Sequence, residues 1–302
     1  MIRLAVRGLA DEVLAGAAAR LRNVLLQPIA SETDAPDASA NADALVLAED
    51  GSRHRTTVEL AERCVQAGQT VVWVTAEGIE ADSWERLLAA AQTGQGTCLV
   101  VNPQRFQASR QLVRQQLDDG RLGEVGLIRM HRWDSAAKNG GANKAGSLRP
   151  LLWQDVDIAL WLAGVPPHVV YATQSRLAAA PMPHCLQLHL GFPSGAMALI
   201  GYAPALPEGD GYASLSVIGS SGAAYADDHQ NMQLWYRGGH PAAVRADDRA
   251  LLWVALFRQL ALSLRSPDAA RQATEHGKQV QALLRAVDES LQSRQAIPLE
   301  IG

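Results

Sequence analysis

The first glycine-containing turn of the chain, RGLADEV at residues 7–13, follows a short apolar run and has groups that could bind a phosphate. A dinucleotide-binding turn has the pattern Gly-x-Gly-x-x-Gly/Ala, which lets the backbone approach the pyrophosphate and the helix pack on the strand. Gly8 alone fits, because alanine and valine stand at the two later positions. Arg7 could pair with a phosphate, whereas Asp11 and Glu12 place negative charge where a helix start would otherwise attract an anion. The turn predicts either a degraded dinucleotide site or a plain helix start whose acids favour the helix dipole.

Two further segments have side chains that could contact a nucleotide. Glu32 or Asp34 follows Gly8 at about the distance at which an acid binds an adenosine ribose, although both stand in a polar stretch where acids are common. The stretch EDGSRHR at residues 49–55 follows an apolar run, and its His54 and arginines could bind a ligand or form a solvated turn. Both alternatives remain open for each segment.

The cysteines and histidines predict neither a disulfide framework nor a metal site. Cys64, Cys98 and Cys185 are odd in number and widely spaced, which favours buried thiols over a disulfide framework or a CxxC metal motif. His184 and His189 are an odd number of positions apart in an apolar run, so on a strand they would point to opposite faces. The sequence contains no defensible Ser-His-Asp or zinc pattern, and no metal is expected.

The charge balance of the 302-residue chain is mildly acidic, with 27 Lys and Arg against 31 Asp and Glu. Such a chain offers no broad basic surface for phosphates, so nucleic acid is not an expected partner. No apolar run reaches the ~18 residues that a membrane span needs, and the first residues do not form the apolar core of a signal peptide. A cytoplasmic protein without a membrane partner is therefore expected.

Alternation of apolar runs with amphipathic stretches, up to about residue 132, predicts a parallel sheet with helices between its strands. The predicted strands are Arg3–Val6, Val24–Gln27, Ala44–Leu47, Val71–Val74 and Thr97–Val101. The predicted helices are Asp11–Leu21, Thr57–Ala67, Ser83–Ala91 and Ala108–Asp119. Pro28 directly follows the second strand, which favours a strand end or a sheet edge. The polar stretch Ser31–Asn41 predicts a loop where a crossover helix would be expected.

The rest of the chain predicts an antiparallel sheet with helices. Residues 134–147 are small and polar, after which a helix is predicted from about Pro150 to Ala163. The predicted strands are His168–Thr173, His184–Phe192, Ala196–Tyr202, Ala213–Ile218, Ala223–Ala226 and Gln233–Tyr236. Two helices, Asp247–Leu264 and Pro267–Gln292, and a strand-like stretch, Ala296–Ile301, close the chain. The stretch VIGSSGAAY at residues 217–225 lacks the Gly-Lys-Ser/Thr ending of a phosphate loop and predicts a hairpin turn.

The predicted fold class is thus α/β. Residues 1–125 are expected to form a Rossmann-like domain with a parallel sheet. Residues 126–302 are expected to form an α+β domain with a predominantly antiparallel open sheet, one face of which is covered by helices.

Four strings resemble the Gfo/Idh/MocA oxidoreductases in the order in which the family has them, over nearly the whole chain. They are ADALVLA at residues 42–48, RF at 105–106 followed by LDDGRLGEV at 117–125, QDVDIALWLAG at 154–164, and LSVIGSSG at 215–222. The resemblance implies a Rossmann domain joined to a C-terminal sheet domain, with NAD or NADP as cofactor and a sugar or cyclitol as substrate. It also matches His54 to a histidine of the loop after the family's third strand.

The resemblance also implies what this chain lacks. The family's Glu-Lys-Pro motif falls on Val74-Thr75-Ala76, so Thr75 stands where the family has a lysine that organises the nicotinamide ribose and the reacting hydroxyl. No realignment supplies a lysine, because the first one in the chain is Lys138. The family's proton-carrying histidine becomes Gln154, whose amide does not titrate near neutral pH, while its aspartate is retained as Asp157.

These departures predict a Gfo/Idh/MocA-like protein whose NAD(P) and catalytic motifs are degraded, with impaired or absent catalysis and a retained sugar-like ligand pocket or partner surface. The candidate catalytic residues are Asp157, Gln154 and Lys144, and the candidate cofactor-binding residues are Gly8, Arg7, Glu32 and His54. The alternative is an active NAD(P)-dependent sugar or cyclitol oxidoreductase that uses Lys138 or Lys144 together with Asp157. A homodimer or higher homo-oligomer on the open face of the C-terminal sheet is expected, and a subunit that supports an active paralogue is a third hypothesis.

Overall fold

The structure of the protein is a computed structural model. It describes residues 1–30, 40–49, 54–75, 79, 81–94, 96–135, 149–175, 185–206, 211–227, 232–236, 242–245 and 249–299. The chain divides into two compact units. Unit 1 comprises Met1–Gln107 and Asp248–Lys278, and unit 2 comprises Ala108–Asp247 and Gln279–Gly302.

The helices and strands follow one another along the chain as follows. The helices are α1 (Asp11–Ala18), α2 (His54–Gln66), α3 (Ala81–Thr93), α4 (Ala108–Asp118), α5 (Arg149–Ala163), α6 (Arg249–Ser263) and α7 (Pro267–Ser293), with a 3₁₀ turn at Pro103–Phe106. The strands are β1 (Ile2–Arg7), β2 (Val24–Pro28), β3 (Ala44–Glu49), β4 (Thr70–Thr75), β5 (Thr97–Val101), β6 (Val125–Ser135), β7 (Val169–Ser175), β8 (Cys185–Gly191), β9 (Met197–Leu206), β10 (Tyr212–Gly219), β11 (Ala223–Asp227), β12 (Met232–Tyr236), β13 (Ala242–Arg245) and β14 (Ile297–Pro298).

Unit 1 contains a parallel sheet with the strand order β2-β1-β3-β4-β5. Alternate residues of its strands enter two different cores, so that Leu45 and Trp73 pack with α2 and α3, whereas Val46 and Val72 pack with α1 and α6. Burial on both faces explains why these strands are continuous apolar runs in the sequence. The order reverses between β1 and β3, and the carboxyl ends of strands at such a switch point are where open α/β sheets bind ligands.

Unit 2 contains a nine-stranded sheet with the order β13-β12-β11-β10-β6-β9-β8-β7-β14. β6 and β9 are parallel, and the other neighbouring pairs are antiparallel. Residues of α5 contact β6 and β9, and α4 contacts β11. The predicted fold class, a Rossmann-like parallel sheet followed by a predominantly antiparallel sheet, is confirmed.

The two faces of the unit 2 sheet differ in burial. On β6, Ile128 and Met130 are buried on the side of the helices, whereas the alternate residues Arg129 and Trp133 are exposed. Residues opposite one another in neighbouring strands lie on the same face of a sheet. The strand registers therefore place the exposed residues of β7, β8, β9 and β10 on the same face as those of β6. The open face of unit 2 is defined by its exposed side chains Arg129, Trp133, Tyr171, His189, Met197 and Ile218.

Most predicted elements agree with the structure to within a few residues. Pro28 ends β2, the edge strand of its sheet, as a proline should. Residues 217–225 form the expected hairpin, with β10 and β11 antiparallel and the Gly219 amide donating to the Gly222 carbonyl. The strands β6 and β13 were not predicted, and most of the predicted loop Ser31–Asn41 lies outside the described residues.

Two further predictions differ from the structure. Cys64 and Cys98 are buried as expected, and burial raises the pKa of the Cys98 thiol to about 12, but Cys185 is exposed at the start of β8. The domain boundary predicted from the sequence lies between residues 125 and 126. In the structure, residues 108–125 belong to unit 2 and residues 248–278 belong to unit 1. No helix in the described ranges has the length and apolar character required to cross a membrane.

Candidate functional site

The turn after β1 is built around a glycine whose role is structural. Gly8 has a φ of 91°, a conformation that other residues rarely adopt. A β-carbon built on Gly8 would lie 2.0 Å from the carbonyl oxygen of Ala48 in the neighbouring strand β3. The fold therefore requires a glycine here for the tight turn, and its presence is no sign of a bound dinucleotide.

The start of α1 lacks the other features of a dinucleotide turn. Ala10 is the N-cap, in extended conformation, and its methyl group stands where the second glycine would admit the pyrophosphate. No side chain caps the helix, and Asp11 and Glu12 lie exposed in its first turn. Two carboxylates at a helix N-terminus repel a phosphate, which the helix dipole would otherwise attract. The described residues of this turn therefore do not fit a dinucleotide pyrophosphate.

The carboxyl end of β4 carries a buried hydroxyl. Thr75 is the last residue of β4, pairs with Glu49 of β3 and is only 1% exposed. Asn102, buried directly after β5, accepts a hydrogen bond from the Gln104 amide (3.0 Å) and caps the 3₁₀ turn. Such groups can accept and donate hydrogen bonds, but neither carries a positive charge or titrates near neutral pH.

In unit 2, α5 brings two of the predicted residues together. Gln154 and Asp157 are three positions apart on this helix, so their side chains lie on one face, together with Trp161 four positions further on. Apolar residues cover the other sides of the helix, as Val156, Ile158, Ala159, Leu160 and Leu162 are all buried. Gln154 is half-buried, whereas Asp157 is 2% exposed.

A buried charge network joins α5 to the sheet. Arg132 of β6 donates from Nε and Nη2 to Oδ2 of Asp155, at 2.9 and 2.8 Å, and from Nη1 to Oδ2 of Asp134, at 2.5 Å. The hydroxyl of Tyr202 on β9 also donates to Oδ2 of Asp134, at 3.2 Å. The guanidinium of Arg132 lies over the Tyr202 ring, with Cζ 4.1 Å from its centroid. We call Arg132, Asp134, Asp155 and Tyr202 the arginine network.

The arginine network is almost closed to solvent. The side chain of Arg132 is 12% exposed and those of Asp134 and Asp155 are each 4% exposed. Burial alone would lower the pKa of Arg132, but Asp155, Tyr202 and Asp134 outweigh it and raise that pKa above its usual range. Arg132 is thus a permanent cation, which can orient and attract but cannot exchange protons.

Most of unit 2 is similar to a domain of known proteins. Residues 110–225 match the family model described as the GFO/IDH/MocA C-terminal domain. These residues are similar to the C-terminal domain of the Gfo/Idh/MocA family. The matched segment includes α5, the arginine network and the strands from β6 to β11.

The chain is also similar to individual proteins of known structure or activity. It is 29% identical to an inositol 2-dehydrogenase of Rhizobium meliloti, in a match that spans 48% of this chain and 43% of that relative. Its fold is similar to that of an NAD binding oxidoreductase from Klebsiella pneumoniae, with a TM-score of 0.76, 16% identity and 99% of each chain covered. It is also similar to that of the WlbA dehydrogenase from Bordetella pertussis in complex with NADH and UDP-GlcNAcA, with a TM-score of 0.67, 21% identity and coverage of 100% and 98%.

The other candidate residues are placed as follows. Arg7 is the last residue of β1 and is half-buried. His54 is the first residue of α2 and directly follows residues 50–53, which lie outside the described ranges. Glu32 and Lys144 lie outside the described residues. Within the described ranges, no group of three or more His, Cys, Asp and Glu side chains could hold a metal ion.

Sequence reasoning missed the arginine network. Asp155 was recognised only as part of the family string, and Arg132 and Asp134 were not singled out at all. The sequence contains one signal for it. Arg132 and Asp134 continue the alternation of the buried residues Ile128 and Met130 along β6, which places both charges on the buried side of the strand. A charge at a buried strand position requires a partner, and the sequence does not reveal which residue provides it.

Proposed function

We propose that this Gfo/Idh/MocA-family protein has lost, or nearly lost, dehydrogenase chemistry and that unit 2 retains a pocket for a sugar-like, polyhydroxylated ligand. The observation that carries the proposal is the chemistry of Thr75 and Gln154 at the two positions where the family has a lysine and a histidine. Removing a hydride from a secondary alcohol also requires removal of its hydroxyl proton. A buried threonine hydroxyl and a neutral amide can hold that hydroxyl but cannot accept its proton near neutral pH.

The turn after β1 supports the same proposal. Gly8 is required by the fold, Ala10 replaces the second glycine, and Asp11 and Glu12 oppose a phosphate. The cofactor side and the proton-transfer side thus depart from the family pattern at separate places. A polyol needs only hydrogen-bonding groups, and Gln154 with Asp157 on one face of α5 supplies both donors and acceptors.

The test is a calorimetric titration of the purified protein with NADH, NADPH and myo-inositol. We expect saturable binding of neither nucleotide below about 1 mM, and measurable binding of the polyol. The double variant Asp11→Asn/Glu12→Gln serves as the matched control, because it removes the repulsion without altering the glycine pattern. Micromolar binding of either nucleotide to the wild type would contradict the proposed loss of the cofactor site.

The second candidate is an active NAD(P)-dependent oxidoreductase, which the retained Asp157 and the NADH complex of the Bordetella pertussis relative support. In that case Lys144→Ala and Asp157→Asn should each abolish NADH formation from a panel of sugars and cyclitols. Lys278→Ala is the control, since this lysine is exposed and pairs with Glu275 on the surface of α7. Unchanged turnover in the first two variants would remove the proposed catalytic set.

We further propose that the open face of unit 2 binds a second copy of the chain, with an active paralogue as the other hypothesis. Trp133, Tyr171, Met197 and Ile218 are large apolar side chains exposed on this one face, and Trp133 is 43% exposed. Several large apolar side chains exposed on one face of a sheet are a feature of interaction surfaces. Sedimentation should show a dimer that Trp133→Ser with Met197→Ser converts to monomer; a monomeric wild type would direct the search to the paralogue.

A further inference from the structure

The helix α5 packs on its sheet mainly through apolar contacts, whose strength does not depend on the direction of particular bonds. Apolar residues occupy more than half of its circumference, and nearly all of them are buried. Dispersion and burial do not depend on the orientation of particular bonds. These apolar contacts therefore supply no bond of fixed direction between α5 and the sheet.

The arginine network adds direction at one point of this interface. Arg132 directs two N–H groups to a single oxygen of Asp155, and the same guanidinium is fixed by Asp134 and by the ring of Tyr202. Asp155 belongs to α5 and its partner Arg132 to β6, while Tyr202, which contacts Arg132 and Asp134, belongs to β9. The network therefore connects the helix to two neighbouring strands with bonds that tolerate little change in distance or angle.

Asp155 is next to Gln154 in the sequence but lies on a different side of the helix. Successive residues are rotated by about 100° around a helix axis. Gln154 and Asp157 share one face, and Asp155 points from the apolar side toward the sheet. Holding Asp155 in place thus determines which way Gln154 and Asp157 point without any direct contact with a ligand.

We propose that Arg132 and Asp155 are positioning residues, which set the rotation of α5 so that Gln154 and Asp157 can hydrogen-bond a polyhydroxylated ligand. The inference rests on the proposed polyol pocket. A purely stabilising role explains the network poorly, because a buried ion pair is generally no more stable than well-packed apolar residues of similar volume. The network carries two carboxylates against one guanidinium, so the loss of Asp155 leaves Arg132 paired with Asp134 and the remaining charges balanced.

The test compares three variants by titration with myo-inositol, and by thermal unfolding. Asp155→Leu removes the bond to Arg132 while filling the space, and we expect the Kd for myo-inositol to rise about tenfold with little loss of thermal stability. Asp155→Asn keeps an acceptor oxygen for Arg132, so part of the affinity should be restored. Asp119→Asn, in the exposed pair with Arg121, is the matched control and should bind as the wild type does. A Kd within about twofold of wild type in folded Asp155→Leu overturns the proposal.

Hydrogen exchange separates this inference from the proposed function. In Asp155→Leu the amides of α5 should exchange faster than in the wild type, while those of β7 and β8 should not change. Faster exchange in α5 together with no binding of myo-inositol by the wild type would leave the positioning role supported and the polyol pocket refuted. Unchanged exchange in α5 would overturn the positioning role, whether or not the polyol binds.

Discussion

The carboxyl edge of the unit 1 sheet and the helix α5 of unit 2 both hold positions at which the Gfo/Idh/MocA resemblance implies reactive groups. At the first, the residues present are those of any stable fold: Gly8 makes a tight turn and Thr75 is a buried hydroxyl. At the second, Arg132, Asp134 and Asp155 are charged, buried and paired over short distances. Folding accounts for the glycine at position 8, whereas folding alone does not account for the buried charges of the second region.

This difference supports the proposed ligand-binding role of unit 2. Burying charged groups costs free energy that pairing only roughly offsets, so such groups are not expected where stability alone matters. Unit 2 has that costly arrangement next to Gln154 and Asp157, whereas the end of β4 in unit 1 has the hydroxyl of Thr75 where the resemblance implies a lysine. The proposed binding role of unit 2 without cofactor chemistry in unit 1 would account for both observations.

The largest effect should come from removing the cation of the arginine network. Arg132→Met removes the cation that pairs with the buried carboxylates of Asp134 and Asp155 and should lower the free energy of unfolding by about 3–5 kcal/mol. Arg55→Met is the matched control, because Arg55 pairs with Glu59 on an exposed helix surface and should contribute less than about 0.5 kcal/mol. Urea unfolding followed by circular dichroism measures both. Equal losses would remove the contrast between the two regions.

A smaller but clear effect is expected at the unit 1 turn. Gly8→Ala forces a β-carbon toward the Ala48 carbonyl at a positive φ and should cost about 2–3 kcal/mol. Gly16→Ala, within α1, meets no atom closer than 3.7 Å and should stabilise the protein by about 0.5–1 kcal/mol. The same urea experiment compares them. If Gly8→Ala is tolerated, the glycine is not there for the fold, and its role as a cofactor residue must be reconsidered.

A single hydrogen bond of the arginine network should have a more modest effect. Tyr202→Phe removes the hydroxyl that donates to Asp134 but keeps the ring beneath Arg132, so we expect a loss of about 1 kcal/mol. Tyr171→Phe on the open face of unit 2 should be close to neutral, since that residue is exposed. Thermal unfolding of the two variants tests the comparison. A loss as large as that of Arg132→Met would show that the phenol, rather than the guanidinium, holds the network.

The smallest effect concerns pH. Burial, and then the charge of Arg129, lower the pKa of His131, whose Nε2 accepts a hydrogen bond from Arg129 at 2.9 Å. The unfolded chain therefore binds a proton at His131 more readily, so stability that is fully present above the ordinary histidine pKa of about 6.5 is lost as the pH falls below it and through the lowered pKa of the folded state. His131→Gln should reduce the drop in Tm between pH 7.5 and 5.5 by about 1 °C. An unchanged drop would show that His131 does not contribute.

Much of the fold could be predicted because the apolar runs of unit 1 report burial on both faces of a sheet. The strand β6 could not, since Arg132 and Asp134 occupy its buried side and Arg129 and His131 its other side, which leaves few apolar residues to show the alternation. The helix α6 was predicted, but it was assigned to the second domain, whereas in the structure it belongs to unit 1. A periodic pattern indicates that a helix has an apolar face, not which sheet that face covers.

The candidate site could be predicted only where residues are near one another in the sequence. Gln154 and Asp157 are on one helix, so their spacing was informative. The pairing of Asp155 with Arg132 depends on how α5 lies on β6, and the distance between two elements is set by packing that no local pattern records. The role of Gly8 was likewise invisible, because its close neighbour Ala48 comes 40 residues later.

The division of the chain bears on how it folds during synthesis. The β strands of unit 1 emerge from the ribosome first, but α6, whose Leu256 and Phe257 pack with Val46 and Val72, is made only after residues 108–247. Until then, one apolar side of the sheet lacks the part of its cover that α6 provides and is open to chaperones or to aggregation. Release of the nascent chain just before α6 should therefore yield an insoluble product, and the two units cannot be exchanged between related genes by a single crossover.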